Sequence, residues 1–590
     1  MLPATPCHAE APKGSQSAAL MRRRRLLFLA LVAATVVPLT YWLVAILLSS
    51  RLGLLALPLL VAFVIDVSWR AVRCCNALVG FALRQMPGDP LARVMPLALQ
   101  GRPDGPSRQC VAVVITTRNE DAEQVFSRLR AIKASLDASG EGEHFDYFVL
   151  SDTNAPAVAA AEERLAAAWQ RDTPDQGRRI VYRRRAANIG FKAGNIHDFC
   201  ATWGSDYTFM ILLDCDSLMT GSAIRKLIAI MEADPKLGIL QGFALPLPAS
   251  SFFARVYQFG HLLDLRGSTL GAAWWQGECG AFWGHDAAIR IAPYAQHCRL
   301  PVLSGRPPWG GHIVVHDQVD IGLMRRARFA VRFLPQTIGC YEGNPPTLPD
   351  FLARSKRWLC GSVQNLRLLA MPGMPALSRL TLVLAAGELA SGAAVCLFAA
   401  AAALAVTLSP PAVPQPIASA IGLYGAWIGL LLAPKLLGTA DALLHACADH
   451  GGAARLILGS IVETLFTLLL APIAACAAAS CLIAMPFRLS VRWDAQRREG
   501  YSLPLRAALR ALWLPTAFGL ALTSWLVVAK PGALLSFLPF LAGLIAAQPF
   551  AIITSSPRLA AWARRSKLCA TPDEIAMPTE LAALVRGGTT

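Results

Sequence analysis

Apolar stretches longer than a globular core requires set the terms for this chain. Leu26–Ser49 follows the basic cluster Arg22–Arg25, and Leu52–Trp69 follows a tight turn at Arg51. Each is long enough to cross a bilayer, so the two read as a helical hairpin. A basic cluster before an apolar run also begins a signal peptide, but this run is longer and no small-residue cleavage site follows it. The pattern returns with Leu380–Leu408, Ile417–Leu437, Leu456–Met485, Ala511–Ala529 and Leu534–Ile553. Only 16% of the residues are charged, where a soluble chain carries about a quarter, so spans are expected on composition as well.

Charge placement sets the expected orientation. The net charge is +17, yet the basic residues are not interleaved with aromatics and lie beside apolar stretches. Nucleic acid is therefore not the expected partner; cytoplasmic loops beside anionic lipid account for the charge. Arg22–Arg25, the loop 488–510 and the tail around Arg564 and Arg565 all belong inside, with Pro410–Pro416 as a short external loop. Leu456–Met485 is too long for one crossing and short for two, and parity requires it to cross twice, re-enter or lie partly at the interface. Seven or eight membrane segments follow, with eight preferred. The resulting division is a cytoplasmic tail over 1–25, the hairpin over 26–69, a soluble unit over 70–377, a membrane region over 378–555 and a cytoplasmic tail over 556–590. The 15 cysteines show no Cys-x-x-Cys pair, which points to reduced thiols.

Residues 71–377 lose the long apolar runs. Strand patterns at Val111–Thr116, Phe145–Leu150, Ile180–Tyr182, Tyr207–Leu213 and Gly238–Gln241 are separated by helical ones at Glu123–Ala138, Val158–Arg171 and Ala223–Ala233. Such alternation predicts a largely parallel sheet with ligands at the C-terminal strand ends. Ile211-Leu-Leu-Asp-Cys-Asp-Ser217 ends a buried strand in Asp214 and Asp216. In extended chain these point to one side and suit a hard divalent cation that in turn holds phosphate; the alternative is a pair of solvated loop acids. Val111–Thr116 runs into a polar turn with Glu120, and Phe148–Leu150 leads to Asp152, both suited to a base and ribose. Asn188–Asn195 is a glycine-flexed loop carrying Lys192, a phosphate or pyrimidine contact. A strand-like Ile313–Val315 delivers His316 and Asp317. If 352–369 is helical, Arg354, Arg357 and Trp358 share a face, two guanidiniums for a diphosphate and an indole for a sugar. A basic interfacial helix would look the same.

The order Asp152, Asp214-x-Asp216, Asp317, Arg354-x-x-Arg357-Trp358 resembles the processive, inverting, membrane-embedded family-two glycosyltransferases. Ser217-Leu-Met219, Gly284-His285 before Asp-Ala-Ala-Ile-Arg290, Gln296-His297-Cys298, Met324-Arg-Arg326, Tyr341-Glu342 with Asn344-Pro-Pro346 and Trp493–Arg498 are similar to the glucans biosynthesis glucosyltransferase H family. The resemblance spans roughly 70–565. His316 departs from the Glu common in the synthases.

What the resemblance implies is a GT-A α/β domain inserted in a polytopic α-helical membrane region, with UDP-glucose as donor and a growing β-1,2-linked glucan as acceptor. Thr116, Glu120, Asp152, Lys192 and Asp214 would bind the donor, Asp214 and Asp216 would hold Mg²⁺ or Mn²⁺, and Asp317 would be the general base. Arg354, Arg357 and Trp358 would serve the diphosphate and acceptor, with Glu278, Cys279, Gly280 and Trp283 as further acceptor residues. Trp274-Trp275-Gln276 suits sugar rings or lipid anchoring. Glu388 and Glu463 are intramembrane acids that either serve export or pair between helices, with Lys435 as a partner. The loop 488–498 would gate the site. A periplasmic glucan-modifying protein and acyl carrier protein are implied partners, and the bacterial inner membrane is the implied location, with the catalytic unit and both termini cytoplasmic. The competing readings are a lipid-linked sugar transferase and a permease with a regulatory nucleotide-binding domain.

Overall fold

A computed structural model describes residues 17–50, 52–99, 109–173, 179–408, 417–487 and 500–582. Most of the N-terminal tail, the Pro410–Pro416 loop and the 488–499 part of the basic loop lie outside the described residues.

The sheet has eight strands: β1 (Val111–Thr117), β2 (Phe145–Ser151), β3 (Ile180–Arg184), β4 (Phe209–Asp214), β5 (Leu218–Met219), β6 (Leu237–Pro246), β7 (Ala287–Arg290) and β8 (Ala330–Glu342). Their order is β3-β2-β1-β4-β7-β6-β8-β5. The first four are parallel, as the strand–helix alternation predicts. The sheet then becomes mixed, because β7 runs antiparallel to both β4 and β6. β1 and β4 are buried on both faces, which explains their unbroken Val, Ile and Leu runs. Ile313–Val315 forms no strand; Asp317 is instead the first residue of the Asp317–Arg326 helix.

The membrane part departs from expectation in two ways. The second hairpin helix does not stop at residue 69: it runs over Ala56–Gln85, and Leu83 joins the core beneath the sheet. Among the described residues, six helices are long and apolar enough to span a bilayer, or seven if the bent Pro531–Ile545 and Ala547–Thr554 pair is one span, which is the lower of the two expected counts. Leu456–Met485 cannot cross twice, because Ala453–Ala484 is one unbroken helix. Near its start, Gly459 faces Phe259 and Cys569, and near its end Cys481 Sγ lies 3.8 Å from the Lys356 carbonyl on the Leu348–Asn365 helix. Both ends therefore rest on the side of the catalytic unit.

The long Phe252–Gln276 helix docks the sheet domain onto the membrane helices. It crosses Ala56–Gln85 so closely that a Cβ on Gly80 would stand 1.9 Å from the Gly267 carbonyl oxygen, and one on Gly271 1.9 Å from that of Asn76. Arg25 caps its C-terminal end through the Trp275 and Gln276 carbonyls, while Phe28 stacks on Trp275 at 4.5 Å. The Trp274-Trp275-Gln276 segment is thus a seat for the first membrane helix.

Candidate active site

The parallel half of the sheet aligns its acid-bearing ends. Thr116 of β1 pairs in register with Asp214 of β4, and the Asp152 amide after β2 donates to the Thr117 carbonyl at 2.9 Å. Glu120 lies in the turn that follows β1. Beneath these ends sits Glu162, fully buried on the Pro156–Asp172 helix. It accepts from the hydroxyls of Ser151, Thr153 and Tyr182 at 2.6–2.9 Å, with Thr117 at 3.4 Å. A buried carboxylate needs such partners, and here they tie three strand ends together. Nothing in the periodicity marked Glu162, since it reads as one more polar residue on an amphipathic helix.

Asp152 is not an open acceptor. Both its oxygens receive Arg185, at 2.7 and 2.9 Å. Arg185 also donates to Asp198 and to the Ile189 and Phe191 carbonyls, all at 3.0 Å. The pair therefore shapes the Asn188–Phe191 turn, which delivers Lys192 in the first turn of the Phe191–Trp203 helix. Arg185 escaped the sequence reading because three consecutive arginines at 183–185 look alike.

Lys192 Nζ contacts the Asp214 carboxylate and donates to the Gly284 carbonyl at 2.6 Å. Gly284 has φ of +80°, which suits glycine, and a Cβ there would stand 3.7 Å from that of Asp317. One turn thus gathers Lys192, Asp214 and Asp317. Burial pushes the Asp317 carboxyl above its ordinary value, with the nearby Asp320 charge adding and His316 and Lys192 opposing. Asp216 is buried, and a Cβ on Gly343 would lie 2.9 Å from its Oδ2, so the end of β8 presses on the Asp214-x-Asp216 turn.

On the Leu348–Asn365 helix, Arg354 and Arg357 are buried and Trp358 is 45% exposed. The Arg354 guanidinium lies 4.7 Å over the Trp358 ring, and its Nε has no hydrogen-bond partner among the described residues. A buried guanidinium short of an acceptor is prepared for an anion.

The proposed acceptor segment divides. Glu278 pairs with Arg325 at 2.9 Å, at the far end of the helix that Asp317 begins, about 12 Å of helix away. Cys279 bridges Val331 and faces Ser378, and Gly280 packs on the β8 backbone. These three hold β8 and do not face the site. Trp283 precedes Gly284, with its amide donating to Gln241 Oε1 at 2.7 Å and its ring packed on Phe333.

Among the described residues no cluster of three or more His, Cys, Asp or Glu could hold a metal alone. The Asp214 and Asp216 oxygens suit a hard cation in kind, but they fit it only where phosphate and water oxygens complete the shell.

Next to Phe351 and Lys356 of the site helix, a cavity of about 960 Å³ extends between the membrane helices to Lys530. Glu388 lines it, and so do Asp66, Arg70 and Trp427. These last three form a knot: Asp66 accepts from Arg70 at 2.5 Å and from the Trp427 indole at 2.6 Å. Glu463 is instead paired with Lys435 and Thr467, which is the helix-pairing reading.

Residues 209–491 match the profile described as glycosyl transferase family group 2, and 112–297 match glycosyl transferase family 2. A relative from Rhodopseudomonas palustris (strain TIE-1), named glucans biosynthesis glucosyltransferase H, is 34% identical over 89% of this chain and 73% of its own. One of the same name from Xanthomonas campestris pv. campestris (strain B100) is 33% identical over 89% of this chain and 83% of its own. Among solved structures, a Pyrobaculum calidifontis mannosyltransferase in complex with GDP-Man and Mn²⁺ is 18% identical, with a TM-score of 0.38, covering 67% of this chain and 99% of that one. That likeness is too slight to carry an argument. The two profiles and the long matches to both relatives make this chain a family-2 glycosyltransferase that belongs to the glucans biosynthesis glucosyltransferase H family.

Proposed function

We propose that the protein transfers glucose from UDP-glucose to the end of a growing β-1,2-linked glucan and passes the chain across the bacterial inner membrane. The observation that carries this reading is the convergence of Lys192, Asp214 and Asp317 around Gly284. Lys192 there serves the donor diphosphate. The carboxylate of Asp317 takes the proton from the acceptor hydroxyl. That oxygen then bonds to the anomeric carbon as its bond to the diphosphate breaks, inverting the centre in one step without a second carboxylate nucleophile. A raised Asp317 pKa favours this role, since a stronger base is a better proton acceptor. Arg354 and Arg357 meet the charge left on the diphosphate, and Trp358 stacks on the acceptor sugar. Asp214 and Asp216 would hold Mg²⁺ or Mn²⁺, which when bound neutralises diphosphate charge. Glu120 and Thr116 stand where the ribose and base would lie, and Asp152 acts through Arg185.

The cavity beginning at Lys356 supplies a route for the product, and the docking of Arg25 and of the chain end against the sheet domain supports cytoplasmic termini beside the catalytic unit. The test is purified protein with radiolabelled UDP-glucose. The expected result is linear polymer that requires divalent metal and falls about a thousandfold or more in Asp317→Asn, with donor binding retained. Transfer to lipid alone would favour a lipid-linked transferase, and binding without turnover a regulatory domain.

A further inference from the structure

The turn that follows Gly284 carries a bridge with no role in the mechanism above. His285, its side chain 12% exposed, sets Nδ1 3.2 Å from Asp286 Oδ2 and Nε2 3.2 Å from Glu342 Oε2. An imidazole between two carboxylates satisfies both only with two N–H groups, that is, as the cation. Burial raises the Asp286 carboxyl to about 6, which still leaves it ionised at neutral pH. Burial alone would lower the His285 pKa, but the two carboxylates hold it well above the ordinary histidine value. Burial likewise would raise Glu342, and His285, Arg354 and His261 hold it below the ordinary range.

The bridge closes a ring around the two acids of the Asp214-x-Asp216 turn. The Asp214 amide donates to Ser217 Oγ at 3.2 Å, and the Ser217 hydroxyl lies near enough to Asp286 to favour its ionised form. Asp286 meets His285, His285 meets Glu342, and Gly343 next to Glu342 presses on Asp216. The backbone of the 283–286 turn is fixed separately. Gln241 accepts from the Trp283 amide and donates to the His285 carbonyl at 2.9 Å, while Gly242 donates to the Asp286 carbonyl at 2.9 Å. The His285 side chain is thus free of any duty to the turn itself and reaches across to the end of β8. Glu342 in turn feels the Arg354 charge.

We propose that His285 is a positioning residue which, by bridging Asp286 and Glu342, sets the end of β8 and Arg354 against the Asp214-x-Asp216 turn, so that donor and acceptor ends meet. This rests on the glucosyl-transfer reading above. It acts on alignment: His285 touches neither Lys192, which contacts Asp214 and the Gly284 carbonyl, nor Arg185, which is spent on Asp152 and Asp198.

The test is a double-mutant cycle of His285→Gln and Glu342→Gln in the full-length protein, reading polymer formation from UDP-glucose. Each single variant should keep the donor KM within about threefold and lose about tenfold or more in kcat. The double variant should be no worse than the poorer single, because the two act as one bridge. Wild-type turnover in either single variant, or additive losses, would overturn the proposal. So would a loss confined to donor KM. If His285→Gln does not fold, Glu342→Gln decides alone by the same split, since it removes one contact and leaves Asp286 paired. Absence of turnover in the wild type would instead sink the glucosyl-transfer reading, and the proposal with it.

Discussion

Asp317 and Glu162 show two ways in which one carboxylate controls this site. As the proposed base, Asp317 must be ionised to accept a proton, and its pKa is raised, so activity should fall on the acid side. That limb should lie above the ~3.9 of a free aspartate. A kcat–pH profile checks this; a limb at or below the free value would count against Asp317 as the base. Glu162 is fully buried and receives the hydroxyls of Ser151, Thr153 and Tyr182. Glu162→Gln keeps the shape, removes the charge and turns one acceptor into a donor. A loss of about 2 kcal/mol is expected, read as a lower Tm, with donor binding weakened as the strand ends loosen. Asp317 was legible in the sequence as a member of an ordered string of acids. Glu162 and Arg185 were not, because their importance lies in which polar groups they meet, and those come from elements that only the folded sheet brings together.

Among the elements, the Phe252–Gln276 helix decides how the catalytic unit sits on the membrane helices. Its crossing with Ala56–Gln85 is set by backbone contact at Gly80 and Gly271, where an added Cβ meets a carbonyl oxygen of the other helix. Backbone atoms cannot swing aside as side chains do. Gly271→Val should therefore push the helices apart and cost about 1–3 kcal/mol or more, seen as a lower Tm and lost polymerisation. A protein with unchanged Tm and activity would show the crossing to be slack. The parallel strands were legible from their apolar runs, to within a residue or two at β1, β2 and β4. The Ala453–Ala484 helix was not, since hydropathy reports how apolar a segment is, not whether the helix within it is broken. What places it is where its two ends dock, on Phe259 and Cys569 at one and on the Leu348–Asn365 helix at the other.

The molecule as a whole is fastened by its C-terminal segment. Beyond the last membrane helix the chain returns to the sheet domain. Glu574 pairs with buried Arg255 at 2.6 Å, Tyr341 donates to Asp573 at 3.3 Å, and Ser135 donates to Glu580 at 2.7 Å. Leu581 enters the core beneath the sheet. Tyr341 immediately precedes Glu342, so this strap also steadies the end of β8. Removing residues 571–590 should leave membrane insertion intact, lower Tm by several degrees and reduce turnover more than donor binding; an unchanged Tm would mean that the strap is dispensable. Sequence reading saw in this segment only a basic cytoplasmic tail.

By itself the sequence determined that long apolar helices accompany an α/β unit, the parallel half of the sheet and the order in which the candidate acids and arginines occur. Each of these depends on local periodicity, on charge, or on residue types that chemistry requires in a given order. The tertiary structure alone decided that Glu278, Cys279 and Gly280 support β8, that Ala453–Ala484 is one unbroken helix, and that His285 links Asp286 to Glu342. Those outcomes depend on packing between segments far apart in the chain, and no local pattern encodes which of several polar partners a buried side chain will meet.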